Sequence, residues 1–79
     1  MATLRLFASV RVAAGTGRAA IDGATVGEVV AAACDRYGSD FAALVQSCRV
    51  WVNGEPALET DAVTDSDEVA ILPPVSGGG

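Results

Sequence analysis

Apolar and polar residues alternate along four short stretches of the chain, which is the pattern of β-strands with one buried face. The alternation predicts strands at residues 3–8, 18–22, 48–52 and 68–72. In the first of these stretches Leu4, Leu6 and Ala8 share one side, whereas Phe7 belongs to the other. One side of each predicted strand is therefore expected to face a hydrophobic core.

Apolar residues recur at helical spacing between the second and third predicted strands. Thr25 and Glu28 have the spacing of a capping box, in which each side chain accepts a hydrogen bond from a backbone N–H. The apolar stripe of this main helix consists of Val26, Val29, Val30, Ala33, Cys34 and Tyr37. Gly38 is predicted to end the helix, and Ser39 to cap a second short one. A further helical turn is predicted at residues 10–14.

The pair Asn53-Gly54 predicts a two-residue hairpin turn, because both residues tolerate a positive φ. Pro56 restricts the segment after this turn to a short edge strand. Residues 61–68 have the composition of a polar loop. The order of the elements predicts an α+β protein, in which one main helix packs on one face of a mixed sheet.

The composition describes a small acidic domain. The 79 residues include ten acidic side chains, five arginines and no lysine, for a formal net charge of −5. This balance repels phosphate backbones, so we expect no nucleic-acid binding, and it favours encounter with a basic partner surface. No apolar run approaches the roughly 20 residues that span a bilayer. With no signal peptide visible, we expect a cytoplasmic protein that does not enter a membrane.

The two cysteines, Cys34 and Cys48, both fall in the apolar phase of their segments. Free cysteines in such positions usually pack as small core residues. The alternative is a redox or persulfide role, which no neighbouring base or metal ligand favours. Because the chain has no histidine, the usual ligands of a zinc site are missing and we expect no metal site.

The C-terminal segment Pro73-Pro74-Val75-Ser76-Gly77-Gly78-Gly79 is a glycine run behind two prolines. Ordered glycine loses much conformational entropy, so the run is either a flexible linker remnant or a reactive terminus used by other proteins. The prolines favour a stiff, extended base, and seven residues can reach roughly 23–25 Å. This combination favours delivery of the terminus into a partner's pocket. We therefore expect a domain at residues 1–72 and a tail at residues 73–79.

The segment Asp67-Glu68-Val69-Ala70-Ile71-Leu72-Pro73-Pro74-Val75-Ser76-Gly77-Gly78 resembles the C-terminal signature of the MoaD family. MoaD proteins are the small sulfur-carrier subunits of molybdopterin synthase, within the MoaD/ThiS ubiquitin-like carriers. Residues 7–11, Phe-Ala-Ser-Val-Arg, and residues 52–55, Val-Asn-Gly-Glu, resemble other segments of the same family. The resemblance covers nearly the whole chain and implies a ubiquitin-like β-grasp fold, in which the first and last strands lie side by side.

The resemblance also implies a chemistry for the tail. A ubiquitin-activating-like adenylating enzyme, using ATP and magnesium, would convert the terminal carboxylate to an acyl-adenylate. A sulfur donor protein would then supply a persulfide sulfur, giving a glycyl thiocarboxylate. The large catalytic subunit of molybdopterin synthase would use this sulfur to form the molybdopterin dithiolene. The chain itself would bind no cofactor and would act as a non-catalytic subunit.

The family ends in two glycines as a rule, whereas this chain ends in Gly77, Gly78 and Gly79. The reactive carboxylate therefore belongs either to Gly79 or to Gly78. We expect Gly79, because it is the terminus of this sequence, with the other two glycines forming the narrow segment that enters a partner.

Strand parity, combined with the implied adjacency of the first and last strands, predicts a docking patch beside the tail. Phe7, Ala70 and Leu72 have the parity opposite to the helix-facing residues, and the family's docking surface falls on Phe7 and Leu72. The further residues expected to contact partners are Arg11, Pro73, Pro74 and Val75. Two alternatives stay open: Phe7 covers a small cluster under a loop, and Arg11 is a solvated side chain.

Three other functions fit the same features. A sulfur carrier for thiamin, cysteine or a secondary metabolite would share the fold and the glycine tail. A ubiquitin-like modifier would join its terminus to lysines of target proteins. In a passive interaction domain the tail would have no function, so that removal of Gly78 and Gly79 would have no effect.

Overall fold

The computed structural model describes residues 1–74 of the chain. Its helices are α1 at Ala8–Ala14, α2 at Val26–Tyr37 and α3 at Ser39–Val45. Its strands are β1 at Ala2–Leu6, β2 at Arg18–Ile21, β3 at Arg49–Val52, β4 at Glu55–Pro56 and β5 at Glu68–Leu72. They form one sheet in the order β2-β1-β5-β3-β4. The predicted β-grasp fold is confirmed: the sheet is mixed, and α2 contributes to the core on one of its faces.

The parallel pairing of β1 with β5 forms the centre of the molecule. Leu4 lies opposite Val69, and Leu6 lies opposite Ile71. All four side chains are buried. Burial of side chains of this size stabilises the fold by about 1.5–3 kcal/mol each, relative to leaving them exposed. The first and last strands are therefore held together by the residues whose parity predicted them to face inward.

The main helix begins and ends where the sequence predicts. Thr25 is the N-cap of α2, and its hydroxyl accepts a hydrogen bond of 3.2 Å from the Glu28 backbone N–H. The Glu28 carboxylate accepts one of 3.1 Å from the Ala24 N–H. The reciprocal bond therefore falls one residue before the donor that a standard capping box uses. Gly38 ends the helix at a φ of 97°.

Several sequence predictions at element ends are wrong in detail. The second strand ends at Ile21 rather than at residue 22, and α1 begins at Ala8 rather than at residue 10. Ser39 does not cap α3, because Gly38 turns the chain so sharply that Ser39 is already helical and Gly38 itself is the N-cap. The first strand ends at Leu6, and Ala8 is an exposed residue that begins α1. Cys48 precedes β3, because its backbone N–H bonds instead to the Val45 carbonyl in the turn that follows α3, at 3.0 Å.

The Asn53-Gly54 hairpin is confirmed, with φ values of 51° and 84°. The Asn53 side chain also ties the hairpin to the start of β5. Its amide nitrogen donates to Asp67 at 3.0 Å, and its amide oxygen accepts from the Glu68 N–H at 3.0 Å. Pro56 lies in the two-residue edge strand β4, as predicted. The loop before β5 is not wholly polar, since Val63 is buried.

Within residues 1–74, none of the helices is both long and apolar enough to cross a membrane.

Candidate partner-docking surface

The face of the sheet that turns away from the core carries a row of side chains set by strand register. Arg5 on β1 pairs with Ala70 on β5, and Ala70 pairs in turn with Trp51 on β3. Residues paired across a sheet point to the same side, and successive residues of a strand alternate. Because Val69 and Ile71 are buried, Ala70 and Leu72 face outward, and both are partly exposed.

Phe7 lies at the same end of the sheet as Leu72. Leu6 and Ile71 are paired, so Phe7, the residue after β1, and Leu72, the last residue of β5, lie at the same end of two adjacent parallel strands. Phe7 has an extended backbone, with φ −132° and ψ 149°, and its side chain is 37% exposed. It does not belong to the buried core. The geometry thus brings Phe7, Ala70 and Leu72 to one outward surface, which we call the docking patch.

Arg11 lies on α1 and is exposed, and its side chain packs against Gly17. A Cβ added at Gly17 would lie 3.1 Å from the Arg11 Nε atom, so a larger residue there would make the Arg11 side chain shift by a few tenths of an ångström. The Gly17 carbonyl also accepts a hydrogen bond from the Leu6 N–H at 3.0 Å, which fixes the loop beside β1. Arg11 and this loop therefore lie next to the strand that leads to Phe7.

Two further arginines lie near the docking patch, and neither was predicted from the sequence. Arg5 lies 3.4 Å from Glu68, and Arg18 lies 3.9 Å from the same carboxylate. The guanidinium carbon of Arg5 also lies 5.7 Å from the centre of the Phe7 ring, a cation–π distance. Arg5 could have been predicted, because it shares one side of the predicted first strand with Phe7. Arg18 becomes a neighbour only through the pairing of β1 with β2.

The structure follows the base of the tail as far as Pro74. Pro73 is partly buried, and Pro74 is exposed. The predicted functional residues Val75, Gly77, Gly78 and Gly79 lie outside the described residues. The last strand ends at Leu72, so the tail leaves the domain from the end of the sheet that carries the docking patch.

Both cysteines are half-buried and pack against the core. Burial, and then the neighbouring Asp35 carboxylate, raise the pKa of the Cys34 thiol. Burial also raises the pKa of the Cys48 thiol, whose sulfur donates a hydrogen bond of 3.1 Å to the Leu44 carbonyl. Because the thiolate is the nucleophilic form, these environments disfavour reactive cysteines.

Comparison with known proteins places this architecture in a family. The sequence profile of the ThiS family matches residues 4–78. A search of curated protein sequences gave no match. Among solved structures, small archaeal modifier protein 1 from Haloferax volcanii is 36% identical, with 96% of this chain and 97% of that chain covered, at a TM-score of 0.74.

Two further structures are similar over almost their full length. A chain in the BexX/CysO complex from Amycolatopsis orientalis is 28% identical, with 99% of this chain and 100% of that chain covered, at a TM-score of 0.82. A proposed molybdopterin converting factor, subunit 1, from Pyrococcus furiosus is 25% identical, with coverages of 94% and 97% and a TM-score of 0.82. Because the family match extends over nearly the whole sequence, this chain belongs to the ThiS family of ubiquitin-like sulfur carriers.

Proposed function

We propose that this protein is the sulfur-carrying small subunit of a molybdopterin synthase, and that its C-terminal Gly79 carries the sulfur as a thiocarboxylate. The observation that supports this role most directly is the ThiS family match, which runs through the glycine tail to Gly78. The Pro73-Pro74-Val75 context of the tail favours the molybdopterin branch of the family. The similarity to the Pyrococcus furiosus protein points in the same direction.

The chemistry begins with a carboxylate that must be activated. A terminal carboxyl group has a reference pKa of about 3.3–3.7, so it is an anion at neutral pH and a poor electrophile. A ubiquitin-activating-like enzyme would transfer AMP to it from ATP, with release of pyrophosphate. A persulfide sulfur then displaces AMP, and reduction of the sulfur–sulfur bond by a thiol frees the thiocarboxylate. Glycine suits each step, because no Cβ obstructs the reacting carbonyl.

The domain itself would supply recognition rather than catalysis. In this proposal the docking patch of Phe7, Ala70 and Leu72 contacts the large subunit and the activating enzyme in turn. A few residues near the centre of an interface usually carry most of its binding energy. The proline base would then direct the glycine terminus away from the domain and into the partner's active site.

The decisive experiment is mass spectrometry of the protein isolated from its native cell. Tryptic cleavage after Arg49 releases residues 50–79, a peptide that contains neither cysteine nor methionine. A mass gain on this peptide equal to replacement of one oxygen by sulfur, lost on alkylation with a thiol reagent and replaced by the alkyl adduct, would establish the thiocarboxylate. An unmodified peptide, even after incubation with an activating enzyme and a sulfur donor, would refute the carrier role.

The pathway needs a separate test. Carrier loaded with sulfur would be mixed with the large synthase subunit from the same organism and the dithiolene precursor. Formation of molybdopterin, with one sulfur lost per carrier, is the expected result. Loaded carrier that stays loaded in this mixture would instead favour a thiamin, cysteine or secondary-metabolite pathway, as the similarity to the BexX/CysO complex chain allows.

The second candidate function is protein modification, and the 36% identity with small archaeal modifier protein 1 favours it. In that role, Gly79 would form an amide bond with lysines of target proteins. Such conjugates resist thiol reagents and migrate as higher bands on a denaturing gel. Their presence in cells that express the wild-type chain, together with their loss on removal of Gly78 and Gly79, would establish this role.

A further inference from the structure

Three of the five arginines meet beside the docking patch. Arg5 from β1, Arg11 from α1 and Arg18 from β2 line a surface depression of about 380 Å³, together with Phe7 and Gly17. These arginines come from three different elements, so the cluster exists only in the folded chain. It is a positive site on a protein whose formal net charge is −5.

The cluster has more positive than negative charge. Glu68 is the one carboxylate within ion-pair distance of these arginines among residues 1–74, at 3.4 Å from Arg5 and 3.9 Å from Arg18. Arg11 has no ion pair or side-chain hydrogen bond with any residue in that part of the chain, and its side chain lies close to Gly17. With one carboxylate for three guanidinium groups, the cluster can bind further anionic oxygens.

All the arginines of the cluster remain accessible to a partner. Arg5 is 37% exposed and Arg18 is 69% exposed, and Arg11 is also exposed. Phe7 borders both the depression and the docking patch. A partner that covers Phe7 would therefore also cover the arginines, and water would be displaced from around them. Partial desolvation strengthens charge-assisted hydrogen bonds.

We propose that this arginine cluster binds an acidic segment of the protein that docks on Phe7, with side-chain carboxylates of the partner bridging Arg11 to Arg18 and Arg5. The proposal rests on the proposed function, because the partner in question is the adenylating enzyme. Guanidinium groups bind carboxylates in bidentate geometry. Side-chain carboxylates fit because they would be presented beside an apolar surface, whereas a long polyphosphate would meet the acidic remainder of the domain.

The first experiment measures ATP–pyrophosphate exchange by the adenylating enzyme from the same organism at increasing concentrations of carrier. Arg11→Glu and Arg18→Glu are each expected to raise KM about tenfold with kcat unchanged, since they remove an attraction and introduce a repulsion. Arg36→Glu is the matched control, because Arg36 lies on α2 and its guanidinium donates to the Ala20 carbonyl. Thermal unfolding of each variant would establish that the fold is retained.

The outcomes separate this proposal from the proposed function. If the wild-type chain supports no exchange, the carrier function is refuted. If it supports exchange but Arg11→Glu and Arg18→Glu behave like Arg36→Glu, the arginine cluster has no role in docking. Equal losses in all three variants would show a dependence on overall charge alone, which also overturns the proposal.

A second experiment needs no enzyme. The side-chain Nε–Hε resonances of the five arginines would be followed by NMR during addition of a capped hexapeptide of alternating aspartate and glutamate. We expect the resonances of Arg5, Arg11 and Arg18 to shift together, while that of Arg36 does not move. The isosteric asparagine and glutamine peptide should cause no change. Shifts of all five arginines, or of none, or equal shifts with inorganic phosphate at matched ionic strength, would overturn the proposal.

Discussion

The guanidinium carbon of Arg5 lies 5.7 Å from the centre of the Phe7 ring. The two residues follow each other on the outward side of the first strand and its extension, so the charge lies beside the apolar ring rather than against the core. Arg5 also reaches Glu68 on the neighbouring strand. This arrangement joins a positive group to the edge of the proposed docking patch, and it motivates the first prediction.

Phe7→Ser is expected to weaken binding to the large synthase subunit and to the adenylating enzyme while the domain stays folded. Because the Phe7 side chain is 37% exposed and lies outside the core, its loss should lower the free energy of unfolding by about 1–2 kcal/mol, from a partly buried ring and an exposed cation–π contact. Binding would be measured by calorimetry and stability by urea denaturation. Unchanged affinity would exclude the patch, and an unfolded variant would exclude the outward orientation of Phe7.

Phe41→Ala provides the contrast. Phe41 is fully buried on α3, and its ring centre lies 5.1 Å from that of Tyr37 at an angle of 58°. Removing a buried aromatic ring leaves a cavity and usually costs about 3–5 kcal/mol, a large part of the stability of a domain this small. We expect a strongly lowered urea midpoint, with partner affinity retained in the fraction that remains folded. A change below about 1 kcal/mol would contradict the burial of this ring.

Asn53→Gly should lower stability at neutral pH and weaken its dependence on acid. Glycine keeps the positive φ of the turn but removes the amide that bonds to Asp67 and Glu68. Hydrogen bonds from this amide and from the Thr64 backbone hold the pKa of the Asp67 carboxyl below its ordinary value of 3.8. A lowered folded-state pKa contributes stability that is present above the unfolded pKa and lost as pH falls through the folded one.

The measurement for this prediction is urea denaturation of both proteins between about pH 5 and pH 2. The wild-type chain should lose more stability over this range than Asn53→Gly does. Asp67→Asn is the control, since it removes the titrating group but keeps an acceptor oxygen. Parallel acid profiles for the wild-type and Asn53→Gly chains would show that the amide does not set the pKa of Asp67.

Replacing both cysteines by alanine should leave sulfur loading of the tail intact. The pKa of each thiol is raised by burial, so few thiolates are present at neutral pH, and neither sulfur is suited to relay a persulfide. The alkylation rate of the two thiols in the wild-type chain should also be slower than that of a free cysteine. Loss of loading in the double variant, with the fold retained, would instead establish a persulfide role for Cys34 or Cys48.

Deleting Gly79 is expected to slow adenylation about 100-fold, because it withdraws the carboxylate by one residue, roughly 3.3–3.6 Å, from the activating site. The assay is ATP–pyrophosphate exchange with saturating carrier. Full activity of the shortened chain would assign the reactive carboxylate to Gly78. Removal of both Gly78 and Gly79 provides the inactive reference.

Much of this fold could be predicted from local sequence because the interactions involved are local. Strand parity identified Leu4, Leu6, Val69 and Ile71 as inward-facing, and Asn53-Gly54 identified the hairpin through its tolerance of positive φ. The cap of α2 was predicted from the spacing of Thr25 and Glu28. The element ends were harder to predict. Gly38, and not Ser39, is the N-cap of α3. The Cys48 N–H donates a hydrogen bond within the turn after α3 and not within the sheet.

Prediction of the docking patch depended on one long-range contact, the adjacency of β1 and β5. The family resemblance implied this adjacency, and the structure confirms it. Prediction of the arginine cluster would have required further long-range contacts. Arg5, Arg11 and Arg18 lie on different elements, and their proximity depends on the pairing of β1 with β2 and on the close approach that Gly17 allows.

The chemistry proposed for the glycine tail came from the family resemblance. The sequence by itself determined the strands, the main helix and the inward-facing core. These follow from the period of the hydrophobic pattern, from turn geometry and from residue type, all of which act over a few neighbouring positions. Only the tertiary structure decided which charged groups surround Phe7. Residues that are far apart in sequence meet only when the strands pair, and no local pattern records that pairing.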